Sequence, residues 1–197
     1  MGHSVHLIIG KGASVAAFLQ QWPAARAVDL RNGWQAIPVD EALYASIEAT
    51  HPAATRPSGL DVSPLGLSEA LAEATAKGGS LAYVETEYFG GTSGQAATAF
   101  ADGHEVVAPQ TAKGSGPINQ ALRRIGVTRT EADDEFDTIG LGERRTMTDH
   151  EPEGPVRLRG ETPLQAEPAP KAFVPMWVVM LVLAAAVGFA ITVSVMR

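Results

Sequence analysis

The stretch "YVETEYFGGTSGQAATAF", residues 83–100, sets an aromatic, β-branched run before a glycine-rich patch and a second apolar run after it. Ser80–Phe89 reads as a strand, with Tyr83, Glu85 and Glu87 on one side of the pleat and Ala82, Val84, Thr86 and Tyr88 on the other. Gln95–Phe100 reads as its successor, and Ala101-Asp102-Gly103 supplies a tight-turn signature before "HEVVAP" (104–109). Gly90, Gly91 and Gly94 thus fall between consecutive strands of a meander. A phosphate cradle would feed a helix N-terminus, where backbone N–H groups meet the anion. This patch runs into another strand and lacks a neighbouring Lys-Ser or Lys-Thr. The glycines are read as turning the chain back.

Outward from there, punctuation marks the other elements. "VHLIIG" (5–10) is a buried-looking strand, followed by a Gly-Lys-Gly turn and a short helix, Ser14–Trp22, stopped by Pro23. "ARAVDL" (25–30) and "GWQAIPV" (33–39) read as strands about an Asn32-Gly33 turn. Asp40 is placed to cap a helix at "DEALYASIEAT" (40–50). Residues 51–66 are proline-bearing loop, and residues 67–79 form an amphipathic helix, with Ser68 as cap and Gly78 as stop. "SGPINQALRRIGV" (115–127) is a helix with Pro117 near its start and Gly126 at its end. The fold class expected is α+β, a mostly antiparallel sheet with a few packed helices, plus one C-terminal transmembrane helix.

That last element rests on composition. Ala172–Met196 holds no charged residue, and the 21 residues from Met176 to Met196 would span about 32 Å as a helix, against a hydrocarbon core of about 30 Å. Trp177 sits where an interfacial anchor belongs. Arg157, Arg159 and Lys171 precede the segment and only Arg197 follows it, so residues 1–171 are expected in the cytoplasm of a cell whose inner membrane carries the anchor. Ala184/Gly188 and Ala186/Ala190 give small-xxx-small spacing, the basis for a homodimer through the tail. Residues 149–171 hold five prolines and no aromatic residue, and read as a spacer. The domain expected is therefore 1–148, the linker 149–171 and the anchor 172–197.

Charge narrows the partners. The net charge is −7, with 15 basic against 22 acidic residues and no basic run, so nucleic acid is not an expected partner. No cysteine is present to pair, bind metal or attack. Gly10-Lys11-Gly12 after a strand, with Asp29 nineteen residues beyond Gly10, is similar to the opening of a dinucleotide-binding unit, although Val15 replaces the third small residue. His3 and His6 point to opposite faces of a strand, and His51, His104 and His150 read as solvated. Glu85 and Glu87 share a face, either as a carboxylate pair or, in the favoured reading, as an exposed polar surface. Asp133, Asp134, Glu135 and Asp137 lack the spacing of a calcium loop and are read as an exposed acidic docking patch. No catalytic, cofactor-binding or metal-ligating residue is nominated, and no cofactor is expected.

The strings Tyr88-Phe89-Gly90-Gly91…Gln95-x-Ala97, Ile118-Asn119-x-Ala121-Leu122-Arg123, Asp134-Glu135-Phe136-Asp137 and Gly140-Leu141-Gly142 resemble those of a group of small bacterial proteins of toxin–immunity type. The resemblance covers residues 83–145 and implies a single-domain, non-enzymatic protein that neutralises a partner protein. The expected function is a membrane-anchored binding module, an immunity protein or inhibitor acting on a basic toxin. The alternative is a membrane-tethered nucleotide-binding enzyme using the Gly10–Gly12 turn.

Overall fold

The computed structural model describes residues 3–89, 92–112, 116–131, 133–144 and 146–150. Six strands form one wholly antiparallel sheet in the order β2-β3-β1-β4-β5-β6. They are β1 (His3–Gly10), β2 (Val28–Asp29), β3 (Gln35–Pro38), β4 (Ser80–Phe89), β5 (Thr92–Ala101) and β6 (His104–Ala112). Helices α1 (Ala13–Gln21), α2 (Glu41–Thr50) and α3 (Leu67–Thr75) precede β4; α4 (Pro117–Arg124) and the one-turn α5 (Glu135–Thr138) follow β6. The α+β class and the antiparallel meander of the sequence reading are present.

β4 and β5 pair along their whole length, from Ser80↔Ala101 to Phe89↔Thr92. The opening stretch is therefore a hairpin. Gly94 corrects the expectation that all three glycines sit in the turn, because it lies within β5 opposite Glu87. The next turn follows its sequence signal: Asp102 and Gly103 have φ of 51° and 79°, between the paired residues Ala101 and His104. Edge strand β6 shifts register against β5 between Ala97 and Ala99. Pro109 sits in that edge strand, where a missing N–H is tolerated and unwanted strand pairing is blunted.

The two-residue side-chain period sorts the sheet into two apolar faces. Ile8, Ile37, Leu81, Tyr83 and Phe100 pack with Val15 and Phe18 of α1, Leu43 and Ile47 of α2, and Leu67 and Leu71 of α3. Val5, Leu7, Ile9, Val84, Ala97 and Ala99 pack with Ile118, Ala121 and Leu122 of α4, and with Ile139 and Leu141. The sheet thus lies between two helical layers, which is why β1 and β4 are apolar on both sides.

Local rules explain several boundaries. Asp40 caps α2 by accepting from Leu43 N at 2.9 Å, as its position in sequence implies. The cap of α3 is Gly66 in the left-handed region rather than Ser68, and β2 shrinks to two residues. The fold also runs past residue 148: His150 is fully buried in a 3-10 turn, Met147–His150, which lies beside β1 through a parallel bridge from Ser4 to Thr146. Among the described residues no helix is long and apolar enough to cross a membrane. The expected anchor, and the spacer beyond His150, lie outside the described residues.

Candidate functional site

The motifs after residue 115 meet at one corner. Asn119 and Arg123 stand one turn apart on α4 and face the acidic run. Asn119 Nδ2 donates to Asp134 Oδ2 at 2.7 Å, and its Oδ1 accepts from Phe136 N at 3.0 Å. Arg123 Nε donates to Glu135 Oε1 at 2.8 Å. Asp134 caps α5, its Oδ1 accepting from Asp137 N at 3.0 Å. Gly140 then takes φ 83° against Arg31, and Leu141 enters the core. Arg31 closes the corner through its ion pair with Glu143, and Asn32 Nδ2 donates to Thr138 O at 3.0 Å.

This divides the four nominated residues. Glu135 is only 2% exposed and its carboxylate is committed to Arg123, so it does not belong to an exposed patch. The Arg123 guanidinium holds the Glu135 carboxyl below its usual range, and Glu135 in turn raises Arg123. Asp134 and Asp137 are exposed and Asp133 is half-buried. Partial burial, and then the charges of Asp134 and Asp133, raise Asp137 above its usual value, with Arg31 opposing. Beside them lies an open cavity of about 440 Å³ lined by Arg129, Thr130, Glu131, Asp133 and Asp134.

A second polar centre lies midway along β4, on the face covered by α1, α2 and α3, and corrects the reading of Glu85 as exposed. Glu85 is 5% exposed, whereas Glu87 two residues on is exposed. Glu85 Oε2 accepts from Asp61 N and Oε1 from Val62 N, both at 3.1 Å, and the Tyr83 hydroxyl donates to Oε1 at 3.1 Å. Burial nevertheless lifts Glu85 above the carboxylate range, the three hydrogen bonds acting against it. Tyr83 is raised as well, first by burial and then by the Glu85 charge. His6 stands directly across from Glu85 in the β1–β4 register. Burial lowers its pKa, and Glu87 opposes that shift. The sequence signal for this centre was a polar residue amid a strand whose alternate face was already apolar; which side is covered is decided by helices distant in sequence.

The remaining candidates sit elsewhere. Gly10 ends β1 with its Cα against Leu81 and Val15, and Gly12 precedes α1 with φ 62°. Lys11 Nζ donates to Asn32 O at 3.1 Å and lies 5.7 Å from the Trp34 ring centroid, while Asp29 accepts from Gln35 Nε2 at 3.0 Å. A dinucleotide fingerprint works within a parallel β-α-β crossover; here β1 is flanked by antiparallel neighbours on both sides. Of the histidines read as solvated, His104 is exposed, but His51 is only half-exposed and His150 is fully buried, its Nε2 3.3 Å from Arg144 O. No group of three or more metal-ligating side chains is assembled among the described residues.

Comparison with protein-family models, curated proteins and solved structures finds no match to this chain.

Proposed function

We propose that this protein is a non-enzymatic binding module that neutralises a basic protein partner through the corner between α4 and α5. The observation that carries the reading is the placing of Glu131, Asp133 and Asp134 on the lining of an open cavity, on a frame held by Asn119 and by the Arg123–Glu135 pair. The Asp134 carboxylate, held by Asn119 and by Asp137 N, loses little side-chain freedom on binding, and an excess of negative charge steers an oppositely charged partner. The overall charge of −7 acts in the same direction. The resemblance of residues 83–145 to proteins of toxin–immunity type supports a toxin as the partner. The uncharged stretch 172–196 supports a site of action at the inner face of the membrane.

Growth protection tests this. Cells expressing the product of an adjacent toxic reading frame are rescued by the full chain. The Glu131→Lys/Asp133→Lys double variant, which spares Asp134 and Glu135 because they hold the corner, loses that rescue. Equal rescue by the variant, or the lack of any toxic neighbour, refutes the proposal.

A further inference from the structure

Residues 51–66 meet the sheet at Glu85, through the Asp61 and Val62 amides, and four observations set them apart from the body. First, the two ends of the segment touch: a Cβ added at Gly66 would overlap the Cβ of His51. Sixteen residues with touching ends are an Ω-loop, a unit that packs on itself. Secondly, it carries its own scaffold. Arg56 Nε donates to Ser63 O at 2.8 Å and Arg56 Nη1 to Asp61 O at 3.2 Å, so the guanidinium organises the loop from within.

Thirdly, side chains make the ties to the body. Among the described residues, backbone-to-backbone hydrogen bonds from residues 52–65 to anything outside them occur only at the ends, Ala54 N to His51 O and Leu67 N to Pro64 O. The body instead offers Glu85 to the Asp61 and Val62 amides, Glu48 Oε1 to Leu65 N at 3.1 Å, and the Tyr44 hydroxyl to Arg56 Nη2 at 2.8 Å. Leu60, 3% exposed, is the apolar peg. Fourthly, closure leaves polar atoms unsatisfied. Ser63 Oγ, His51 Nε2 and the N–H of Trp22, whose ring centroid is 6.0 Å from that of His51, are buried without a hydrogen-bond partner. Water reaches such groups only when the segment lifts, which opposes closure, as does the dehydration of Glu85.

We propose that His51–Gly66 is a lid hinged at its touching ends and latched by Glu85, which opens without unfolding the sheet and gives solvent access to the Tyr83–Glu85 pair. Opening exchanges the two amide donors on Glu85 for water, while the strand ladder beneath keeps every one of its own hydrogen bonds.

Amide hydrogen exchange on the full chain in mild detergent tests this. In the unaltered protein, Asp61, Val62 and Leu65, whose amides are bonded to Glu85 and Glu48, exchange at least roughly tenfold faster than Leu7, Ile8 and Val84, the signature of a local opening. Equal protection of the two sets means that only global unfolding frees the segment, and overturns the proposal. Glu85→Gln, which removes one of the two charged acceptor oxygens, speeds exchange at Asp61 and Val62 further and leaves Leu7 and Val84 unchanged. A uniform rise across the core would instead make Glu85 part of the core fold, and the lid would fall with it. Tyr44→Phe, which removes Arg56's outside partner and the hydroxyl's own bond to Ser63 O, both of them ties between body and segment, gives the same selective rise and keeps the test decisive if Glu85→Gln fails to fold.

Discussion

Tyr83→Phe isolates one hydrogen bond in the buried centre. Tyr83 is fully buried, and its hydroxyl donates to Glu85 Oε1 at 3.1 Å. Phenylalanine keeps the ring and its packing, so the change is in hydrogen bonding alone. Losing a bond to an ionised acceptor costs about 1.5–3 kcal/mol, and to a neutral one about 0.5–1.5 kcal/mol. Which applies depends on the charge of Glu85. Burial raises its folded-state pKa above the unfolded value, with the Tyr83 hydroxyl among the groups opposing that rise. A raised carboxyl contributes stability that is fully present below the unfolded pKa, about 4.3, and is lost as pH climbs through the folded value. Removing the hydroxyl lifts the folded value further, so the variant suffers more at high pH. Tyr83 itself is held above its usual range and keeps its proton throughout. The expected loss is about 2 kcal/mol near pH 8 and about 1 kcal/mol near pH 4. For a fold of about 150 residues each kcal/mol moves Tm by about 2–4 °C, giving falls of about 4–8 °C and about 2–4 °C. Near-ultraviolet circular dichroism melts of the full chain in mild detergent read both. Equal shifts at the two pH values would refute an ionised Glu85, and no shift at either would refute the hydrogen bond.

Two further outcomes follow from the packing. Gly10→Ala places a methyl group against Leu81 Cδ2 and 2.9 Å from Val15 Cγ2, both in the closed core. It should cost about 1–3 kcal/mol by overpacking, and no nucleotide should raise the Tm of the unaltered chain; a rise of several degrees that Gly12→Ala abolishes would restore the phosphate-cradle reading. Deleting residues 172–197 should leave a chain that stays in solution without detergent and unfolds cooperatively, because both apolar clusters are built from residues before 150. A broad, non-cooperative melt of that truncation would show that the tail contributes to the fold.

Local chemistry made a good part of this protein legible in its sequence. The Asp40 cap, the Asp102-Gly103 turn and the β4–β5 hairpin are encoded within a few residues of where they act, so their signals survive without knowledge of the remainder. The alternation within residues 83–100 likewise sufficed for an antiparallel sheet. What it lacked was the second covered face. Tyr83, Glu85 and Glu87 occupy one side of a pleat, and alternation alone gives all three the same environment. Burial of Glu85 but not Glu87 is decided by Asp61 and Val62, more than twenty residues away in sequence, where a loop supplies two amide donors. The acidic run behaved in the same way. Sequence placed Asp133, Asp134, Glu135 and Asp137 together, but Glu135 is buried and paired with Arg123 on α4, while Asp134 and Asp137 stay exposed. A charge pattern records which residues carry charge. Only contact between distant segments settles which of those charges faces a partner and which is spent holding the fold.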